Sequence, residues 1–272
     1  MKKTRLNKKA MFYTISLSLF SLTILLLAAL FLRHAESVES RNLELNYFQK
    51  NYDLETSVEK VFADAFTSTS GITLSSNNNS LTITRNLPNS LNGLDTLISQ
   101  LESNIENDFS KINISTEEFL DNHSITLRPL NINTQYENNK IIVNPNQNIT
   151  KFNIILIFSQ DIDSCNPTSV GGGSIEINFW GKFEDNDCTF SQSNLQEANI
   201  ELTVGSENVL VVLNTTGELS LETDAQADST IIINFNEIGQ KTYFQMPITL
   251  QIDDTDFNFY KYSKVDFPYS SE

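Results

Sequence analysis

The sequence predicts an α+β protein: an N-terminal transmembrane helix and stalk helix, a small helical section, then an antiparallel β-sandwich. Three observations carry this expectation. Residues 11–32 form a run of 22 residues without a charge. Residues 33–66 continue at helical period with no glycine or proline. Beyond residue 120, apolar and polar residues alternate with a period of two, the mark of strands with one buried face. The expected divisions are a basic tail (1–10), a membrane helix (11–32), a mainly helical stalk and subdomain with a short hairpin (33–120), and a β-sandwich (121–272).

At about 1.5 Å per residue the uncharged run is long enough for a hydrocarbon core of about 30 Å. Ser16, Ser18, Ser21 and Thr23 can return their hydroxyls to the helix backbone, so they do not forbid insertion. Lys2, Lys3, Arg5, Lys8 and Lys9 precede the run, which places the short N-terminus in the cytoplasm and exports the rest. A cleavable secretory signal would have an apolar region of about 7–15 residues ending in an A-x-A-like site. Here the run is longer, Ala28-Ala29 is followed by further apolar residues, and Ala35 comes after Arg33. A retained anchor, with the lipid bilayer as its first partner, fits better.

Lys8-Lys9-Ala10-Met11 resembles the start of archaeal type IV pilins and related surface subunits. In those, a basic residue and a Gly or Ala precede a peptidase cut, and the helix behind it packs in a filament core. The resemblance covers about 25 residues and implies processing between Ala10 and Met11. Such pilins commonly carry Glu at the fifth mature position, where this chain has Ile15, and no acid follows until Glu36.

Charge narrows the function classes. The chain sums to −16, and beyond the basic tail the other 13 basic residues face all 34 acidic ones, leaving −21. Such a field repels phosphate backbones, which argues against nucleic acid as a partner. Eighteen phenylalanines supply material for a core.

Past the anchor, Tyr47, Asn51, Leu54, Val58, Val61 and Ala65 share one helix side, widened by Phe48, Tyr52, Phe62 and Phe66. That stripe is expected to dock on the chain's own body; a helix–helix contact with another subunit is the sharper alternative. Residues 72–74 and 81–84 flank an Asn cluster as a hairpin. Leu91, Leu94, Leu97, Ile98, Leu101, Ile105 and Phe109 line a second helix over residues 90–109, with a short helical turn at 115–120. Further strands are expected at 125–130, 140–143, 152–159, 174–183, 200–204, 209–213, 218–222, 231–235, 248–252 and 257–262. No crossover helices separate them, so a parallel α/β sheet is not expected.

Candidate chemistry is sparse. Cys165 and Cys188 are the two cysteines and flank residues 174–183; a hairpin-like return would pair them in a disulfide worth about 3 kcal/mol. His34 lies at the membrane boundary and His123 in a turn, and neither accompanies a G-x-S-x-G elbow, an H-E-x-x-H pair or a P-loop. No catalytic, cofactor-binding or metal-ligating residue is therefore assigned. Acidic clusters at Asp161/Asp163, residues 184–187 and residues 253–256 read as solvated turns, with Ca²⁺ the one ion they would suit. Gly171-Gly172-Gly173 precedes a strand and reads as a turn. Trp180 reads as packed, with a sugar-stacking platform as the alternative. Asn78, Asn113, Asn122, Asn148 and Asn214 head sequons, which permit glycosylation without arguing for it.

The expected function is a structural or interaction protein at the cell surface, not an enzyme, partnered by other surface proteins or by itself. An exported binding module for a carbohydrate or a surface protein is the alternative, and a carboxylate-based hydrolase the third reading.

Overall fold

A computed structural model describes residues 8–144, 148–236, 241–254 and 259–268, except for the side chains of 8–19, 35–37, 39, 40, 42–44, 254, 259, 267 and 268. It divides into two units, Met1–Thr56 and Ser57–Glu272.

The described part of the first unit is helix. Its backbone belongs to α1 (Lys8–Thr69), which runs unbroken across the uncharged stretch and beyond because no glycine or proline interrupts it. The side chains of Ala10 and Met11, the expected processing site, lie outside the described residues, as do those of the first half of the expected membrane span. Among the described residues no helix is long and apolar enough to cross a membrane. The described side chains of the uncharged run are those of residues 20–32.

The second unit takes the last turns of α1, where Val58, Phe62, Ala65 and Phe66 are buried. Val61, expected on this stripe, is 41% exposed, while Glu55, outside it, is buried. The buried line thus keeps Asn51, Val58 and Ala65 of the expected stripe and the widening Phe62 and Phe66, and adds Glu55. Phe66 packs edge-on against Phe119, centroids 6.3 Å apart, and against Tyr136 at 6.5 Å. These aromatic contacts anchor the helix end, and Gly71 turns the chain out of it with φ +64°.

The body is one mixed sheet. In chain order its strands are β1 (Ile72–Ser76), β2 (Ser80–Leu87), β3 (Ile112–Ser115), β4 (Ser124–Arg128), β5 (Ile132–Tyr136), β6 (Lys140–Val143), β7 (Ile149–Phe158) and β8 (Ile162–Phe183). Then come β9 (Asn186–Val204), β10 (Glu207–Leu213), β11 (Leu219–Thr223), β12 (Ala227–Phe235), β13 (Tyr243–Asp254) and β14 (Phe259–Pro268). Helices α2 (Asn92–Asp108) and α3 (Glu117–Asn122) flank β3. The ladder order is β1-β2-β12-β7-β8-β9-β10-β11-β6-β5-β4-β13-β14, with β3 on β13. Alternation explains the burial: in β7, Phe152, Ile154, Leu156 and Phe158 face inward, as do Val209, Val211 and Leu213 in β10.

Two features differ from the sequence expectation. The β1–β2 hairpin, expected within the helical section, joins the main sheet through β2 on β12, so the sheet draws strands from both sides of residue 120. And the strands are not all antiparallel: β7 pairs in parallel with residues 176–182 of β8. The crossover that a parallel pair requires is made by residues 162–170 of β8 itself instead of a helix. β8 and β9 form one hairpin closing at residues 184–185, with register shifts at residues 170–177. Residues 162–170 pair with 197–204 to make a near limb, and 175–183 pair with 186–195 to make a far limb. The far limb doubles back, so that Gly181 packs on Leu202 of the near limb, where an added Cβ would lie 3.1 Å from Leu202 and 3.3 Å from Phe158 and Phe179. Strands that change direction at bulges are how sheets turn corners.

α2 packs through the first half of its expected stripe. Leu91, Leu94 and Ile98 are buried, while Phe109 is 45% exposed. Its carboxylates tie it down: Glu106 Oε1 accepts the Ile114 N–H at 2.8 Å and Glu102 Oε2 accepts the Thr116 hydroxyl at 2.6 Å.

Candidate functional site

The folded-back hairpin gathers most of the residues that the sequence singles out. Cys165 lies in the near limb opposite Leu202, and Cys188 in the far limb opposite Gly181. Because those two rungs face each other where the limbs overlap, the cysteines form a disulfide, with Cα atoms 6.0 Å apart and a sequence separation of 23. The expected bridge is present, and what brings it about is the fold-over, which a simple hairpin would not provide. Residues 171–174, the expected glycine turn, make that bend inside β8: a Cβ on Gly173 would overlap the Leu195 carbonyl oxygen, and Gly172 adopts φ +113°.

The same doubling brings two acidic clusters to one end. Asn186 Nδ2 donates to the Ile162 carbonyl at 2.9 Å, setting the turn at residues 184–187 beside Asp161 and Asp163, all exposed. Among the described residues no three metal-ligating side chains converge closely enough to hold an ion. Of the third cluster, Asp253 is exposed and residues 255 and 256 lie outside the described residues.

His34 is exposed on α1. His123 ends α3 in the left-handed conformation, φ 43°, with its ring edge-on to Phe119. Its Nε2 lies 2.6 Å from Asp95 Oδ1 in the first turn of α2, clasping the two helices together. A histidine oriented by a carboxylate is two parts of a triad. No hydroxyl or thiol is hydrogen-bonded to this imidazole among the described residues, and the pair links packed elements at the end of α3.

Trp180 alternates outward on the far limb, half-buried, registered against Ile155 of β7 and Thr189 of β9. Beside it runs a row of amides across four strands. Asn153 Nδ2 donates to Asn234 Oδ1 (2.9 Å), Asn178 Nδ2 donates to Asn153 Oδ1 (3.0 Å), and the Ser191 hydroxyl donates to Asn178 Oδ1 (2.6 Å). At the near end, Lys151 Nζ lies 2.7 Å from Glu176 Oε1, and this hydrogen bond lowers the Glu176 pKa.

A groove of 460 Å³ opens on the outer face of the near limb, floored by Asn199 and Glu201 and walled by Thr168, Val170, Leu210 and Val212. Asn199 Nδ2 donates to Glu201 Oε1 at 2.9 Å, but its Oδ1 is buried without a hydrogen-bond partner. Sequence reasoning missed this groove because near-limb residues 164–170 are polar and show no clean alternation.

It also missed Arg85, which is 2% exposed on β2. Nη1 donates to the carbonyls of Glu137 and Lys140, and Nη2 to that of Asn89 at 2.8 Å. Burial pulls its guanidinium down to about 10, against a smaller opposing influence of Tyr136. The signal was legible: Leu81, Ile83, Arg85 and Leu87 share one phase of β2, so the arginine stands where the alternation demands a core residue.

No protein-family model matches the chain, and neither curated proteins nor solved structures give a match.

Proposed function

We propose that the chain is a single-pass, membrane-anchored protein with its N-terminus in the cytoplasm and its acidic, β-rich body outside. Its role there is structural or interactive, without catalysis, like that of a pilin-like surface subunit. One observation carries the anchor. Nine large apolar side chains between residues 20 and 32 are each at least 52% exposed, and at about 100° per residue they are spread around the whole circumference of the helix. A helix apolar all round is stable when fully surrounded by apolar material. Burying each such side chain contributes about 1.5–3 kcal/mol, so leaving nine in water is a large cost that lipid removes. The disulfide supports an exported body, since such bonds persist outside the cytoplasm. We read the doubled sheet as a β-sandwich, supported by the overlap of Gly181 with Leu202 and the reach of Arg85 to Glu137.

Membrane fractions of cells making the native chain test this. Resistance to alkaline carbonate extraction, with the C-terminus labelled by an impermeant reagent in intact cells, is expected. A freely soluble chain, or a C-terminus labelled only after lysis, overturns it. Determining the native N-terminal residue separates a tether (Met1) from a processed subunit (Met11).

A second reading, an exported binding module, is favoured by the open groove that Asn199 and Glu201 line together with Val170 and Val212. The Glu201 carboxylate offers an acceptor for a sugar hydroxyl, and Val170 and Val212 offer an apolar surface for its ring. Glycan-array binding lost in Asn199→Ala would support it, and an array without hits would remove it.

A further inference from the structure

We infer that residues 24–52 of α1 pair with the same segment of a second copy of this chain, as a parallel two-stranded coiled coil. Between residues 33 and 56, the large apolar side chains that are described and exposed are Val38 (43%), Leu45 (65%), Phe48 (53%) and Tyr52 (62%). Val38, Leu45 and Tyr52 are spaced by seven, and Phe48 sits three beyond Leu45, so all four fall on the a and d positions of a single heptad frame. The frame continues back through Phe31 (69% exposed) and Ile24 (52%), spanning four heptads. Successive a positions on a straight helix drift by about 20°, so keeping them against one partner winds two such helices left-handedly around each other.

The occupant follows from position. This step rests on the anchor proposed above. Leu45 lies 13 residues past Leu32, roughly 20 Å along the helix axis, and Tyr52 roughly 30 Å, too far for the bilayer to cover them. Two copies inserted in one membrane bring this segment side by side, parallel and at equal height, which supplies the orientation and register of the seam. His34 and Arg41 occupy d positions and interrupt it. The long arginine stem can carry its charge to the rim, and polar seam residues fix register at some expense of stability.

The chain lends itself to a clean test, because Cys165 and Cys188 are bonded to each other and no free cysteine remains. Single substitutions Leu45→Cys, Val38→Cys and Lys50→Cys are made in the full chain, with Lys50 at the f position facing away from the seam. Membranes are oxidised with copper phenanthroline and run without reductant. Leu45→Cys and Val38→Cys should give a band at twice the 30.7 kDa chain mass, at least tenfold more than Lys50→Cys. Equal bridging at all three sites, or none, overturns the pairing. Bridging of Val38→Cys to Tyr52→Cys in mixed samples, without Val38-to-Val38 bridging, overturns the parallel orientation. Carbonate extraction of the same samples keeps the two proposals apart. Release of a bridged Leu45→Cys dimer overturns the anchor alone, and retention of an unbridged chain overturns the coiled coil alone.

Discussion

The Arg85 guanidinium on β2 donates to the backbone carbonyl of Glu137, in the turn between β5 and β6. The two strands stand far apart in the ladder order, so this hydrogen bond crosses the core and does not run along a sheet. Arg85→Ala would strand the carbonyls of Glu137 and Asn89 and leave a cavity. We expect a loss of about 2–4 kcal/mol in urea unfolding. Arg85→Lys should recover little, since one ammonium cannot span three carbonyls as the planar fork does. Full stability in the lysine variant would refute the geometric role.

Tyr136, whose hydroxyl lies 2.9 Å from Thr134 Oγ1, gives a pH dependence. Burial pushes its phenol above the ordinary tyrosine value. The folded chain therefore keeps a proton that the unfolded chain releases above about pH 10, and stability from this group falls as pH rises past that point. Arg85 acts oppositely: with its folded pKa lowered to about 10, its burial costs less as pH rises from there towards 12.5. Tyr136→Phe removes the falling contribution. Between pH 10 and 11 it should gain on the native chain by about 1 kcal/mol. Parallel stability curves would rule the argument out.

For the disulfide, the unfolding free energies from urea titration of the native chain and of Cys165→Ala/Cys188→Ala should differ by about 3 kcal/mol on the loop-entropy account. An unchanged midpoint would mean that the folded-back limb is held without the bond.

At the bend, neighbouring glycines should respond differently. Gly173→Ala drives a methyl into the Leu195 carbonyl oxygen and should cost about 2–4 kcal/mol. Gly171→Ala meets its nearest atom at 3.8 Å, an ordinary contact, and should change stability by less than about 1 kcal/mol. Equal melting temperatures for the two variants would count against the bend as drawn.

Strands that alternate cleanly, such as β7, β10 and β12, were legible because one face is buried along their whole length. The missed ones share a cause. β5, the near limb of β8 and the far limb of β9 carry polar residues on positions that solvent reaches, and their place is fixed by pairing partners distant in sequence. The parallel β7–β8 pair was invisible for the same reason, since nothing local announces that a strand will fold back on its predecessor. Of the candidate residues, the cysteine pair was readable from compartment and count. The groove at Asn199 was not, because its walls come from three strands whose register no single stretch records.

Stretched, most of the body would unravel in series, but the loop locked between Cys165 and Cys188, with a sequence separation of 23, would not lengthen. That withholds roughly 80 Å of contour, at about 3.5 Å per residue. Single-molecule pulling should record that shortfall, and adding reductant should restore it.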